Sequence, residues 1–311
     1  MTRPIRGLVP ILATPFLPDG SLDLSSLERL VEFELASGVD GVALFGMASE
    51  GYALTAADRR AILDCTQRVV AGSAPIVVGV NSTSLVGALE QLDELDGRSD
   101  LTLMVLPPYM VPIAPAQLTE FFGTVGSAAA ARGFQVMVQD APGATGVSMS
   151  ADYIVELAGL EGITSVKVEA PPTAPKVETV HDRLVDRGGN LEEFSIFGGQ
   201  NSQLVLDEYA NGAVGTMPAC EFPDLLGPIL ADWNAGNRAE ARDAFSGLLP
   251  LIIQGLQSGY AWSIHKEVLV RRGIISHDTV RLPARPMTPG LRNSLDAVLA
   301  DLNLPQLKVA S

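Results

Sequence analysis

Short apolar runs alternate with longer amphipathic stretches from the start of the chain to residue 235, and the alternation repeats eight times. The runs that read as strands are Gly7 to Ala13, Gly41 to Phe45, Pro75 to Val80, Leu101 to Leu106, Gln135 to Gln139, Ile163 to Val168, Phe194 to Phe197 and Gly212 to Met217. Each is followed by helical spacing: Ser25 to Ala36, Thr55 to Val70, Ser84 to Leu95, Ala116 to Ala131, Ala151 to Leu157, Val177 to Val185, Ser202 to Tyr209 and Pro223 to Ala235. Thr55-Ala56-Ala57-Asp58 has the form of a capping box, and Asp23 or Ser25 can cap the first helix. Beyond Asn237 only helical pattern remains, over Arg238 to Ile252, Tyr260 to Arg272 and Pro289 to Leu302.

Eight β/α units in this length match a closed parallel barrel better than an open doubly wound sheet. The first strand also lacks the Gly-x-Gly-x-x-Gly turn that a dinucleotide-binding fold would place after it. The expected fold class is therefore α/β, a (β/α)8 TIM barrel over residues 1–236 that carries the active site, with a C-terminal helical extension over residues 237–311 packed on it.

The 311 residues are 47% hydrophobic and 18% charged, enough to bury a large core, with disorder expected only at the last few positions. A net charge of −15 and a pI near 4.6 repel phosphate backbones and anionic lipid heads, so neither nucleic acid nor a membrane is expected as a partner. No secretory leader or long apolar span is legible, which makes the cytoplasm the expected location. Cys65 and Cys220 are too few and too far apart for a disulfide framework or a zinc site and read as small buried apolar residues.

Lysine is scarce: Lys167, Lys176, Lys266 and Lys308 are the only ones. Lys167 interrupts the β-branched run Ile163-Thr164-Ser165-Val166-Lys167-Val168, near the carboxyl end where barrels carry their chemistry. An amine in apolar surroundings loses hydration, which favours the neutral, nucleophilic form that attacks carbonyl carbon. Glu169, two residues on, shares its face, so the pair reads either as a Schiff-base lysine with a proton carrier or as a buried ion pair.

Other candidates cluster at strand ends. The loop Gly46-Met47-Ala48-Ser49-Glu50 offers backbone N–H groups and the Ser49 hydroxyl to a carboxylate, and Pro107-Pro108-Tyr109 holds a phenol after the fourth strand. Gln139 and Asp140 end the fifth strand beside Lys167, and Gly199 and Thr216 follow or line the seventh and eighth. His181, His265 and His277 fall on helices or in the tail, so the ligands of a metal-dependent mechanism are missing and no cofactor is expected.

With these residues assembled, the chain resembles the dihydrodipicolinate synthase/N-acetylneuraminate lyase family of class I aldolases and dehydratases, from Gly7 to Leu302. The likeness rests on Thr14-Pro15-Phe16, Gly46 to Glu50, Pro107-Pro108-Tyr109, Pro142 to Gly146, Lys167 and Gly212 to Thr216. It implies a lysine imine at Lys167 with a small 2-oxo acid, no metal, and a homotetramer or homodimer. The family's two carboxylate-binding threonines fall at Met47 and Ala48, its fifth-strand tyrosine at Gln139, its arginine at Ala144 and its cross-subunit tyrosine at Met110. Ser49-Glu50, Met137 to Pro142, Lys167 with Glu169, and Phe222-Pro223-Asp224 are closer to the 2-keto-3-deoxy sugar-acid dehydratases, such as the L-2-keto-3-deoxyarabonate dehydratases. The implied reaction is dehydration of such an acid, with Lys167, Glu169, Gln139 and Tyr109 catalytic and Met47, Ala48, Ser49, Asp140, Gly199 and Thr216 binding substrate. A pyruvate-dependent aldolase or dihydrodipicolinate synthase-like lyase is the second reading, and a silent 2-oxo-acid-binding homologue the third.

Overall fold

The structure, a computed structural model, describes residues 3–302 and residue 304; the end of the expected tail, with Lys308, lies outside the described residues. Its strands are β1 (Gly7–Leu8), β2 (Val42–Leu44), β3 (Ile76–Val80), β4 (Leu101–Val105), β5 (Gln135–Asp140), β6 (Ile163–Val168), β7 (Ser195–Gly198) and β8 (Gly215–Thr216). Strand and helix alternate in the order predicted, and the fold class is α/β of the (β/α)8 kind. Helices Arg238–Gln254, Ala261–Arg271 and Pro289–Leu302 follow the last unit.

The residues divide into two compact units, one running through residue 9 and from 75 to 217, the other from 10 to 74 and from 218 onward. In the first, parallel strands lie in the order β1-β8-β7-β6-β5-β4-β3. Both faces of β3, β4 and β6 are covered, as apolar β-branched runs in a parallel sheet require, and Val77, Leu103, Val166 and Val168 are buried. The register sets Gln139 opposite Lys167, Lys167 opposite Phe197, and Gly198 opposite Thr216.

In the second unit β2 is bridged in parallel to Ile11, which also bridges Ala219. The helix Leu24–Ala36 is capped by Asp23, whose carboxylate accepts from the Ser26 N–H at 3.0 Å. The Thr55 box closes in both directions, at 3.1 Å from the Asp58 N–H to the Thr55 hydroxyl and at 3.0 Å from the Thr55 N–H to the Asp58 carboxylate. Cys65 and Cys220 are buried free thiols, and the Cys220 sulfur accepts from the Ala13 N–H at 3.2 Å.

Two elements depart from their sequence pattern. The expected strand from Gly7 to Ala13 is regular only over Gly7–Leu8, because Pro10 has no N–H to give a ladder. Extended backbone continues through single bonds, such as Leu12 N–H to the Ala43 carbonyl at 2.8 Å. The helix expected from Val177 begins at Thr173 instead. Pro175 sits in its first turn, where a missing N–H costs nothing, so this proline does not delay the helix.

Candidate active site

Lys167 is the fifth residue of β6, and its side chain is buried with 1% exposure. Its Nζ lies 3.0 Å from Oε1 of Glu169. The other oxygen, Oε2, accepts from Nε2 of Gln139 at 2.7 Å, and Gln139 stands opposite Lys167 in register. Amine, carboxylate and amide thus form one buried chain across β5 and β6. The amide is a fixed donor: it orients the carboxylate without exchanging a proton at neutral pH.

The segment after β7 closes this arrangement. Gln200, Asn201 and Ser202 all have positive φ, of 48°, 54° and 62°, a run of left-handed non-glycine residues that needs outside support. Part of that support is the Gln200 side chain, whose Nε2 donates to the Glu169 carbonyl at 2.6 Å. Another part is the Ser202 hydroxyl, 2.6 Å from Oγ1 of Thr216. Gly199 lacks a side chain for a spatial reason, since a Cβ there would lie 2.3 Å from Cγ of Glu169. Gly215 likewise leaves room for the Phe197 ring, 2.3 Å from where a Cβ would be.

Asp140 is not brought to the Lys167 amine. It occupies the alternate position on β5, opposite Val168, and its carboxylate pairs with Lys176 at 2.6 Å. Burial pushes its carboxyl up from the usual range while the Lys176 ammonium draws it down. Lys176 also donates to the Met149 carbonyl at 2.6 Å, so the pair fastens the helix Thr173–Asp186 to the chain after β5. Tyr109 is partly exposed in the proline-rich loop after β4, next to Met110, which is 84% exposed.

Met47, Ala48 and Ser49 belong to the second unit and form one 3-10 turn. Thr14 donates to the Ser49 carbonyl at 2.7 Å, and Nε1 of Trp262 donates to that of Met47. Glu50 follows in left-handed conformation, its buried carboxylate gripped by the Lys266 ammonium and by the Arg281 N–H at 2.8 Å. Lys266 is itself fully buried, which lowers its affinity for a proton, and it also donates to the Thr279 carbonyl at 2.7 Å. The turn is therefore held from below while the buried Ser49 hydroxyl has no partner.

Sequence reasoning noted Gln200 only as part of Gly198-Gly199-Gln200-Asn201, able to approach a ligand or cap the next helix, and did not single out Thr173, Ser202 or Glu208. Glu208 carried a signal: it falls three residues after Val205 on the apolar stripe of its helix, an odd place for a carboxylate.

Eight β/α units with a buried amine paired to a carboxylate at the end of the sixth strand define a (β/α)8-barrel protein of the lysine-bearing kind. Residues 4–302 match the model of the dihydrodipicolinate synthetase family, and the chain belongs to that family. It is 32% identical over 305 residues to an L-2-keto-3-deoxyarabonate dehydratase of Azospirillum brasilense, covering 96% of this chain and 94% of that protein. A 4-hydroxy-tetrahydrodipicolinate synthase of Neisseria gonorrhoeae is 27% identical over 302 residues, 95% of this chain and 98% of its own. The crystal structure of a dihydrodipicolinate synthase from Rhodopseudomonas palustris superposes with a TM-score of 0.86 at 27% identity, over 95% of this chain and 97% of that one.

Proposed function

We propose that this protein is a Schiff-base-forming lyase that dehydrates a 2-keto-3-deoxy sugar acid. The observation that carries the reading is the buried Lys167–Glu169–Gln139 chain, in a family member whose likeness to the Azospirillum dehydratase spans almost its whole length. Gln139 stands where the family's phenol would relay protons, so the proton work falls to Glu169, 3.0 Å from the amine.

Glu169 first accepts a proton from Lys167. The free amine then attacks the C2 carbonyl carbon; a C–N bond forms, Glu169 returns its proton to the carbonyl oxygen, which departs as water, and a protonated imine remains beside the Glu169 carboxylate. The imine withdraws electrons from C3, Glu169 removes a proton there, and the hydroxyl on C4 leaves with a proton as a second water. Hydrolysis of the imine restores the carbonyl and the lysine, so the net change is loss of one water with every carbon retained.

Gln139 orients the carboxylate, and Gly199 supplies the clearance that lets Glu169 stand beside the amine. The Met47–Ser49 turn, with its unpartnered hydroxyl, keeps the role of carboxylate cradle, with Met47 and Ala48 contributing backbone and apolar contact. Tyr109 remains a catalytic candidate and Thr216 a substrate contact in the proposal, whereas Asp140, paired with Lys176, acts as support. The proposal includes a metal-free reaction, a cytoplasmic location, a barrel over residues 1–236 with a helical tail, and a homotetramer or homodimer. Exposed Met110 and Val111, at 84% and 74%, favour such an assembly.

The test is product analysis by mass spectrometry after incubation with 2-keto-3-deoxy pentonic and hexonic acids. Dehydration gives one product lighter by one water. Release of pyruvate and an aldehyde instead establishes the aldolase alternative.

A further inference from the structure

We infer that Glu208 is a positioning residue for the Lys167–Glu169 pair, a carboxyl group behind the β7 glycines whose charge state governs how readily the Lys167 amine is freed. The inference rests on the reading that Lys167 forms an imine. It adds a residue outside the amine, carboxylate and amide chain, in a different element, with no contact to the reacting atoms.

Glu208 lies on the helix Val205–Ala210 with 1% exposure. Its Oε1 accepts from the Thr173 hydroxyl at 2.6 Å. Thr173 opens the helix that follows β6, four residues after Glu169, so this bond ties the exit of β6 to the helix after β7. Oε2 has no hydrogen-bond partner and presses on Gly198, where a Cβ would lie 1.8 Å away. Gly199, the next residue, is pressed by Glu169 in the same manner. Two consecutive glycines therefore each leave room for a carboxyl group, Glu208 at Gly198 and Glu169 at Gly199.

Charges reach Glu208 from three elements. Glu169 on the β6 side repels its ionised form and Lys167 attracts it, Asp207 of its own helix repels it, and Thr173 stabilises it through the hydroxyl. Burial outweighs these and pushes the carboxyl up to about 7. Glu208 is thus neutral in mild acid and ionised in mild base. Once ionised, it adds a second negative charge near Lys167, favours the ammonium and slows attack on the carbonyl.

The experiment compares the rate of borohydride-trapped adduct formation with pyruvate in the wild type and Glu208→Gln across the neutral pH range. The wild-type rate, divided by that of the variant, falls on passing through an inflection near 7. Thr173→Val removes a donor that favours the ionised form, so its inflection moves to higher pH. Superimposable wild-type and Glu208→Gln profiles, or a uniform loss at every pH as a purely structural role would give, overturn the inference. Should Glu208→Gln fail to fold, an unmoved inflection in Thr173→Val overturns it alone. Absence of any adduct in the wild type with any 2-oxo acid removes the imine reading and this inference with it, whereas an adduct with unchanged pH behaviour removes only the latter.

Discussion

Replacing Glu169 with glutamine preserves size and shape and removes one charge. In the wild type Oε1 stands 3.0 Å from the Lys167 amine and Oε2 accepts from Gln139 at 2.7 Å. The new amide can still accept from Gln139 through its oxygen, but it cannot take a proton from C3. A lost general base costs about 10²–10⁴ in rate, so kcat for dehydration is expected to fall by ~10³. Breaking this buried pair is expected to cost at most ~3–5 kcal/mol of stability, read by urea unfolding. Trapping with pyruvate and borohydride persists in the variant, because Lys167 itself is untouched. Stopped-flow turnover and mass-detected trapping, run on the same preparation, separate the two steps. Full turnover with normal trapping would refute the assignment of Glu169 as the base.

Gly199→Ala places a Cβ 2.3 Å from Cγ of Glu169; turnover is expected to drop at least ~10-fold and stability by about 1–3 kcal/mol, measured by kinetics and urea unfolding. Lys266→Met strands the buried Glu50 carboxylate, with an expected loss of about 3–5 kcal/mol in the same unfolding assay. Glu208, raised from 4.5 to about 7, binds its proton more tightly folded than unfolded. Its contribution to stability is complete below pH 4.5 and is lost as pH rises through about 7, a change of roughly 3 kcal/mol that Glu208→Gln abolishes in urea titrations at several pH values.

Much of this architecture is legible in the chain because local preference and burial agree. The run Ile163 to Val168 is β-branched and lies in a sheet covered on both sides, and its expected and observed limits coincide. Lys167 stood out there because a cation in such a strand contradicts its neighbours, and period-two alternation already put Glu169 on its face. The Gln139 partnership follows from parallel register, but the hydrogen bond to Glu169 does not, since it depends on side-chain reach. Asp140 shows the same limit: adjacency to Gln139 suggested the substrate, whereas alternation turned it toward Lys176. The left-handed turn Gln200 to Ser202 had no signature, because nothing local favours three such residues and contacts distant in sequence, among them Glu169 and Thr216, help to hold it. Glu208 was legible only as a carboxylate on the apolar stripe of its helix, and its bond to Thr173 depends on the packing of two helices.

The central claim is an imine at Lys167, and borohydride reduction followed by peptide mapping tests it most directly. With pyruvate or a 2-keto-3-deoxy sugar acid present, the account predicts one reduced adduct on the peptide carrying Lys167, absent in Lys167→Ala. No adduct with any 2-oxo acid, or an adduct on Lys176 or Lys266 in place of Lys167, would contradict it.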